Sequence, residues 1–217
     1  MGIQKMFSEA DLAAIREATS AAELRTGGEI VPYIVGRVED HDEARWCGAT
    51  IGALTLALGV GAFHWLGGYW GGVSLWWIAL PPVVGGGLGY LLAGLDGVGR
   101  RLMPDEHLER RARLRAESAF LEEEVFKTRD RTGILIFLAL FEHQAVILAD
   151  EGIHRAVPHE EWQHLVDDLV AGIKERRATP ALQEVIGRCG ELLERYEVER
   201  RHDDEDELDD APRIRDR

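Results

Sequence analysis

The chain has 217 residues, with 25 Lys and Arg against 39 Asp and Glu and a formal net charge of −14. None of those charges falls between Cys47 and Leu95, a window of 49 residues that holds 13 of the 24 glycines and four of the six tryptophans. Two such different compositions in one chain exclude a simple soluble globule, and one window of this length excludes a polytopic transporter. The acidic remainder has no dense basic face to neutralise phosphates, so nucleic acid is not an expected partner.

The first 30 residues are polar, with no basic start leading into an apolar segment, so no secretory signal is expected there. Ser8 is a good helix N-cap and Asp11 stands at the third helical position, close to a capping box. Leu12, Ile15 and the alanines around Ala22 supply the stripe of this first helix, and Thr26-Gly27-Gly28 ends it. Glu29 to Val35 predicts a strand, in which Pro32 removes one ladder donor and calls for an edge position or a bulge.

Acidic residues lead into the charge-free window. About 20 apolar residues span a bilayer core as a helix, so the window fits two spans and a turn. The spans are placed at Trp46 to Leu66 and Leu75 to Leu95, joined by Gly67 to Ser74. Trp65, Tyr69, Trp70, Trp76 and Trp77 cluster about the turn as an aromatic belt, and Trp46 marks the other interface. Arg37, Arg45, Arg100, Arg101 and the arginines from Arg110 to Arg115 all lie on the open side. The turn has no Lys or Arg, which predicts that both soluble segments face the cytoplasm. Gly48/Gly52 and Gly85/Gly89 have the spacing that lets two helix backbones approach, and Pro81-Pro82 predicts a kink in the second span.

After the spans, Pro104 opens a helix to about Phe126, with Leu114, Ser118, Leu121 and Val125 as its apolar stripe. Gly133 to Phe141 is a continuous apolar run of strand length and predicts a central buried strand. A turn at Glu142-His143-Gln144 returns Ala145 to Asp150 as its antiparallel partner. Trp162, Leu165, Val166, Leu169, Val170 and Ile173 recur at helical spacing after Pro158. Leu182, Val185, Ile186, Cys189, Leu192, Leu193 and Tyr196 do so after Thr179-Pro180. From about Glu199 the chain is so rich in charge that a disordered acidic tail, 199–217, is expected. The domain plan is therefore a discontinuous domain, 1–45 and 100–198, interrupted by a transmembrane hairpin, 46–99. Two antiparallel spans start and end on the same side, which makes such an insertion physically easy.

The segments GEIVPYIV, RTGILIFLALFEHQAVILADEGI and PHEEWQHLVDDLVAGIK resemble the TPM domain family, that of a thylakoid acid phosphatase and a photosystem repair protein. The resemblance covers Phe7 to Val35 and Glu117 to Tyr196. It implies an α/β fold, a small sandwich around a mixed sheet. The hairpin inside the domain departs from the family's usual terminal anchor and is similar to a bacterial membrane-anchored branch. The resemblance also implies divalent-metal binding, mainly calcium, in loops beside the strand ends, weak phosphatase activity in some members, and assembly or repair of membrane complexes in others.

Carried over by position, the metal-site residues are Asp130, Asp150, Glu151, His154 and His159. His154 and His159 stand where the family has Glu and Asp. Calcium takes oxygen ligands, so imidazole there points toward a transition metal. Asp130 precedes one strand and Asp150 ends its antiparallel neighbour, which puts both at one end of the sheet. Glu142-His143 belongs at the other end. Solvated loop polars would give the same pattern. His159 and His164 are five residues apart, about 140° around a helix, and so do not make the zinc-binding i, i+4 pair. Cys189 sits on an apolar stripe as an inert core thiol. No nucleophile elbow, phosphate-binding glycine loop or paired-cysteine motif appears.

The expectation is a two-span protein of the bacterial cytoplasmic membrane, with the lipid bilayer and other membrane proteins as partners and a homo-oligomer compatible with it. Its domain would be a non-catalytic binding or assembly module. The alternative is a weak, divalent-metal-dependent phosphatase.

Overall fold

The computed structural model describes residues 7–39, 42–67, 75–196, 198 and 207–216. It divides into two compact units: Met1–Val38 with Leu108–Arg217, and Glu39–His107.

The first unit is a mixed α/β domain around a four-stranded sheet in the order β3-β2-β1-β4. Its strands are β1 (Glu29–Val35), β2 (Gly133–Ala139), β3 (Gln144–Ala149) and β4 (Arg213–Arg215). β1 pairs in parallel with β2 from Glu29↔Gly133 to Val35↔Ala139, and β3 returns antiparallel to β2. Every residue of β1 and β2 is buried. Alternation along the strands divides them between two cores. Ile30, Ile34, Ile134, Ile136 and Leu138 face one side. There they meet α1 (Glu9–Glu23), α7 (His159–Lys174) and α8 (Ala178–Arg195). Val31, Tyr33, Val35, Leu135, Phe137 and Ala139 face the other side, against α5 (Asp105–Glu122). Each large apolar side chain buried this way contributes about 1.5–3 kcal/mol.

The first helix begins as its sequence predicts. The Ser8 hydroxyl accepts the Asp11 N–H at 3.1 Å, and Asp11 accepts the Ser8 N–H at 2.8 Å. These Ser8 contacts hold the Asp11 carboxyl below its ordinary range. α7 and α8 bury the predicted stripes, with Val166, Val170 and Tyr196 only half-buried at their margins.

Pro32 does not mark an edge strand. β1 lies inside the sheet, and the physical reason is local. The Glu29 N–H donates to Thr132 on the β2 side and the Gly36 N–H donates to Arg215 on the β4 side. Even-numbered residues of β1 therefore point their N–H groups toward β4. β4 pairs only with Tyr33 to Val35. Among the described residues no strand pairs with β1 at position 32 on that flank, so the missing donor costs no ladder bond. On the same flank the Ile30 N–H is taken by the Glu23 carboxylate at 2.7 Å.

Two further expectations are corrected. On α5 the buried positions are Leu108, Ala112, Ala116 and Ala119, while Leu114 and Leu121 are 54% and 63% exposed. Tyr33 and Phe137 stack at 5.7 Å beneath the helix, and alanines leave room for those rings. The Tyr33 hydroxyl accepts from Arg115 of α5 at 2.8 Å. The C-terminal segment was expected to be disordered throughout, yet 207–216 is ordered on the domain and ends in β4. Residues 199–206 and 217 of that expectation lie outside the described residues.

The second unit holds α2 (Asp42–Leu66), α3 (Leu75–Ala93) and α4 (Asp96–Arg101). α2 and α3 are long and apolar enough to cross a membrane, and only 6% of the most apolar stretch of each is buried. They run antiparallel. A Cβ on Gly52 would collide with the Gly85 carbonyl, and one on Gly48 with Gly89 and Ala93, so both glycine pairs are spent on this close approach. α3 continues through Pro81 and Pro82 as one helical segment. Trp46 packs edge-on against Tyr90 at 5.6 Å. Residues 68–74 of the expected turn, with Tyr69 and Trp70, lie outside the described residues.

The two faces of α5 make opposite predictions. Ala116→Leu should lower the stability of the purified chain by about 1–3 kcal/mol through overpacking. Leu114→Ala should stay within about 0.5 kcal/mol. Chemical denaturation followed by circular dichroism distinguishes them, and a larger loss for Leu114→Ala would restore the leucine stripe as the buried face.

Candidate functional site

The sheet end that gathers the start of β1, the start of β2 and the end of β3 carries the polar groups singled out from the sequence. The Asp150 N–H donates to Gly133 at 2.9 Å, so Asp150 leaves β3 beside the first residue of β2. It is the N-cap of the short helix α6 (Glu151–Ala156), and its carboxylate accepts the Glu151 N–H at 2.7 Å. Its second oxygen lies 2.9 Å from Arg131 Nε. That approach is an ion pair without hydrogen-bond alignment. Asp150 is buried and Arg131 is half-exposed, so the pair anchors the loop more than it stabilises the fold.

The loop before β2 is shaped for this contact. Arg131 has a positive φ of 60°, a conformation that costs a non-glycine residue about 1–3 kcal/mol and persists where surroundings over-determine it. Gly152 shows what those surroundings are. Its N–H donates to the Arg131 carbonyl at 2.9 Å, and a Cβ there would come within 2.5 Å of the Asp130 carbonyl and 2.7 Å of that of Arg131. Only glycine lets the start of α6 sit this close to the loop.

Of the five residues carried over as metal ligands, Asp130 and Asp150 share the sheet end that their positions predict. Asp130, Glu151, His154 and His159 are exposed. Glu151 forms an ion pair with Arg155 one turn along its own helix. His159 is the first residue of α7. Among the described residues, no three His, Cys, Asp or Glu side chains come together in a way that could hold a metal ion. Glu142 and His143 are at the opposite sheet end. There Glu142 is fully buried and accepts the Val38 N–H at 2.9 Å, beside Arg37 stacked 4.0 Å over the Phe141 ring.

Cys189 is fully buried in the α8 core, and burial pushes its thiol up to about 12. It is therefore a packing residue and not a nucleophile at neutral pH.

Sequence reasoning missed a second group at the same sheet end: Glu23 at the close of α1, Glu29 at the start of β1, and Glu207 and Asp210 in the C-terminal segment. Glu207 accepts the Arg129 N–H at 2.8 Å, and its own N–H lies 3.4 Å from Glu29 Oε1. Glu23-x5-Glu29 straddling a helix–strand turn is a weak signal by itself. Nothing in the sequence ties it to an acidic run nearly the length of the chain away.

No family model matches this chain, and no curated protein is similar to it. A solved structure, the NMR structure of the BA42 protein from the psychrophilic bacterium Bizionia argentinensis, is similar with a TM-score of 0.58. The likeness covers 96% of this chain and 94% of that one at 17% sequence identity. At that identity it shows a shared fold and nothing about activity.

The dual use of Asp150 gives a direct expectation. Asp150→Ala loses the cap and the Arg131 pair and should cost about 0.5–2 kcal/mol, whereas Asn also caps helices and should recover most of it. His154→Ala and His159→Ala, at exposed positions, should stay within about 0.5 kcal/mol. Thermal midpoints of the four variants check this, and a destabilisation by either histidine variant equal to that of Asp150→Ala would mean the imidazoles are part of the built site.

Proposed function

We propose that this chain is a membrane-anchored α/β module, resembling the TPM family, whose helices α2 and α3 cross a bacterial cytoplasmic membrane as a hairpin. The domain lies on the cytoplasmic side and binds other membrane proteins as an assembly module, without catalysis of its own. The observation that carries this reading is the apolar exterior of the two helices. Leu58 is 72% exposed and Leu75 78% exposed, and Trp46, Leu54, Phe63, Trp76, Ile78, Val83 and Leu91 are open as well. So many exposed large apolar side chains along two helices are what a membrane surface would cover, and lipid removes the cost of exposing them. The helices are 25 and 19 residues long, at about 1.5 Å rise per residue enough for a hydrocarbon core of about 30 Å.

The cytoplasmic placement is supported by arginines before and after the hairpin. A binding role fits the carboxylate best placed for chemistry, Asp150, which is already engaged as a helix cap and by Arg131. A phosphatase needs an activated nucleophile or a metal-bound water, and Asp150 serves neither role while so held.

Alkaline carbonate extraction of cells expressing the full chain should leave it in the membrane pellet; recovery in the supernatant would overturn the anchored reading. The detergent-purified chain should hydrolyse p-nitrophenyl phosphate no faster with calcium, magnesium, manganese or zinc than with chelator. A metal-dependent rate that Asp150→Asn abolishes would overturn the non-catalytic reading in favour of a metal-dependent phosphatase.

A further inference from the structure

The two edges of the sheet are built differently. β4 is three residues long, and its Arg213 and Arg215 meet the Glu123 carboxylate at 3.1 and 3.5 Å. A short, charged strand is a poor template for further pairing. β3 forms the other edge, and its sequence, Gln144-Ala145-Val146-Ile147-Leu148-Ala149, has no charge and no proline. Its register with β2 advances residue by residue from Ile134↔Ala149 to Ala139↔Gln144, so no bulge interrupts it. Charges, prolines and bulges are the usual means of blunting an edge, and β3 carries none of them.

The ladder decides which groups face outward. The Asp150 N–H donates to Gly133, so even-numbered positions of β3 turn their N–H and C=O groups toward β2. Ala145, Ile147 and Ala149 turn theirs away from it. Among the described residues no strand pairs with that flank and no side chain takes these groups. The side chains are open as well. Val146 and Leu148 on the α5 side, and Ile147 and Ala149 on the other, are only half-buried, whereas β1 and β2 are buried throughout.

We propose that the β3 edge is a self-association surface, on which a second copy of this chain adds its own β3 antiparallel about a twofold axis. Opposed residues must point to the same face, so the axis passes through a residue of β3 and not between two. Placed at Ile147, it sets Ala145 opposite Ala149 of the second copy, and every outward N–H and C=O of the strand finds a partner. Placed at Val146, it would set Ala149 against His143, whose positive φ of 51° ends the strand.

The Ile147 register is also complementary in its side chains. Val146 lies beside Leu148 of the second copy, and the pair covers apolar surface that each leaves open alone. Such cross-strand pairs stabilise a sheet, and the like charges that would weaken it are absent from the strand. Just beyond it, the His143 imidazole comes toward the exposed Glu151 carboxylate of the second copy. The product is one sheet continuous across two copies, with the two charged β4 strands as its outer edges. This surface is independent of the membrane reading.

Light scattering of the full chain in detergent micelles tests this, with the protein mass separated from that of the detergent. The wild type should be a dimer. Proline suits an edge strand wherever its missing N–H faces away from the ladder. Ile147→Pro and Ala149→Pro should therefore keep the fold, by circular dichroism, and become monomers. On dilution of the wild type, the amides of 145, 147 and 149 should lose protection from hydrogen exchange by about tenfold or more, because only association shields them. The amides of 146 and 148, held by β2, should not change. This alternation decides the matter if either proline variant fails to fold. A monomeric wild type, a dimer that survives both proline substitutions, or exchange at 145, 147 and 149 that ignores dilution would overturn the proposal.

Discussion

The domain depends on the parallel pairing of β1 with β2. Seven consecutive residues of each strand pair in register, and all are buried on both faces. Parallel neighbours cannot be joined by a tight turn. The chain must leave the end of β1 and return to the start of β2, and everything between 36 and 132 is that connection. α5 is the part that covers the sheet, placing its alanines over Tyr33 and Phe137. α2 and α3 are an excursion within it. Because they run antiparallel, the excursion begins and ends on the same side and imposes no separation on the strands it interrupts.

That pairing also explains which features the sequence displayed. GILIFLALF is apolar without alternation because both its faces are covered, and it stands out for that reason. α7 and α8 cover one face with large residues at helical spacing, so their stripes were legible. α5 was misread for the opposite reason. Periodicity weighs Leu114 and Leu121 above Ala112, Ala116 and Ala119, but a helix lying over stacked aromatic rings has room only for small side chains. β4 was illegible because Arg-Ile-Arg at the end of an acidic run has no strand signature. Its place is set by a vacant stretch of the β1 edge and by Glu123. Pro32 was a true signal wrongly placed: the missing donor does face a stretch without ladder pairing, but on an inner strand.

The same division holds at the polar end of the sheet. Opposite strand directions alone place Asp130 and Asp150 together, and the structure does so. What one residue means to another through backbone conformation was not legible. Arg131 adopts a positive φ, Gly152 allows α6 to press on the loop, and the two together convert Asp150 from a free carboxylate into a cap with an ion pair. The Glu207 contacts with Arg129 and Glu29 join the C-terminal segment to this end of the sheet, and no local pattern foreshadows them.

The account as a whole turns on the hairpin being in lipid while the domain is in water. Tryptophan quenching by brominated lipids measures that directly, because Trp46, Trp65, Trp70, Trp76 and Trp77 lie in or beside the charge-free window and Trp162 lies in the domain core. Reconstituted in bilayers of brominated phosphatidylcholine, the full chain should lose most of its tryptophan emission. A variant keeping only Trp162 should emit as it does in unbrominated lipid. Emission from the full chain that brominated lipid leaves unchanged would contradict the account.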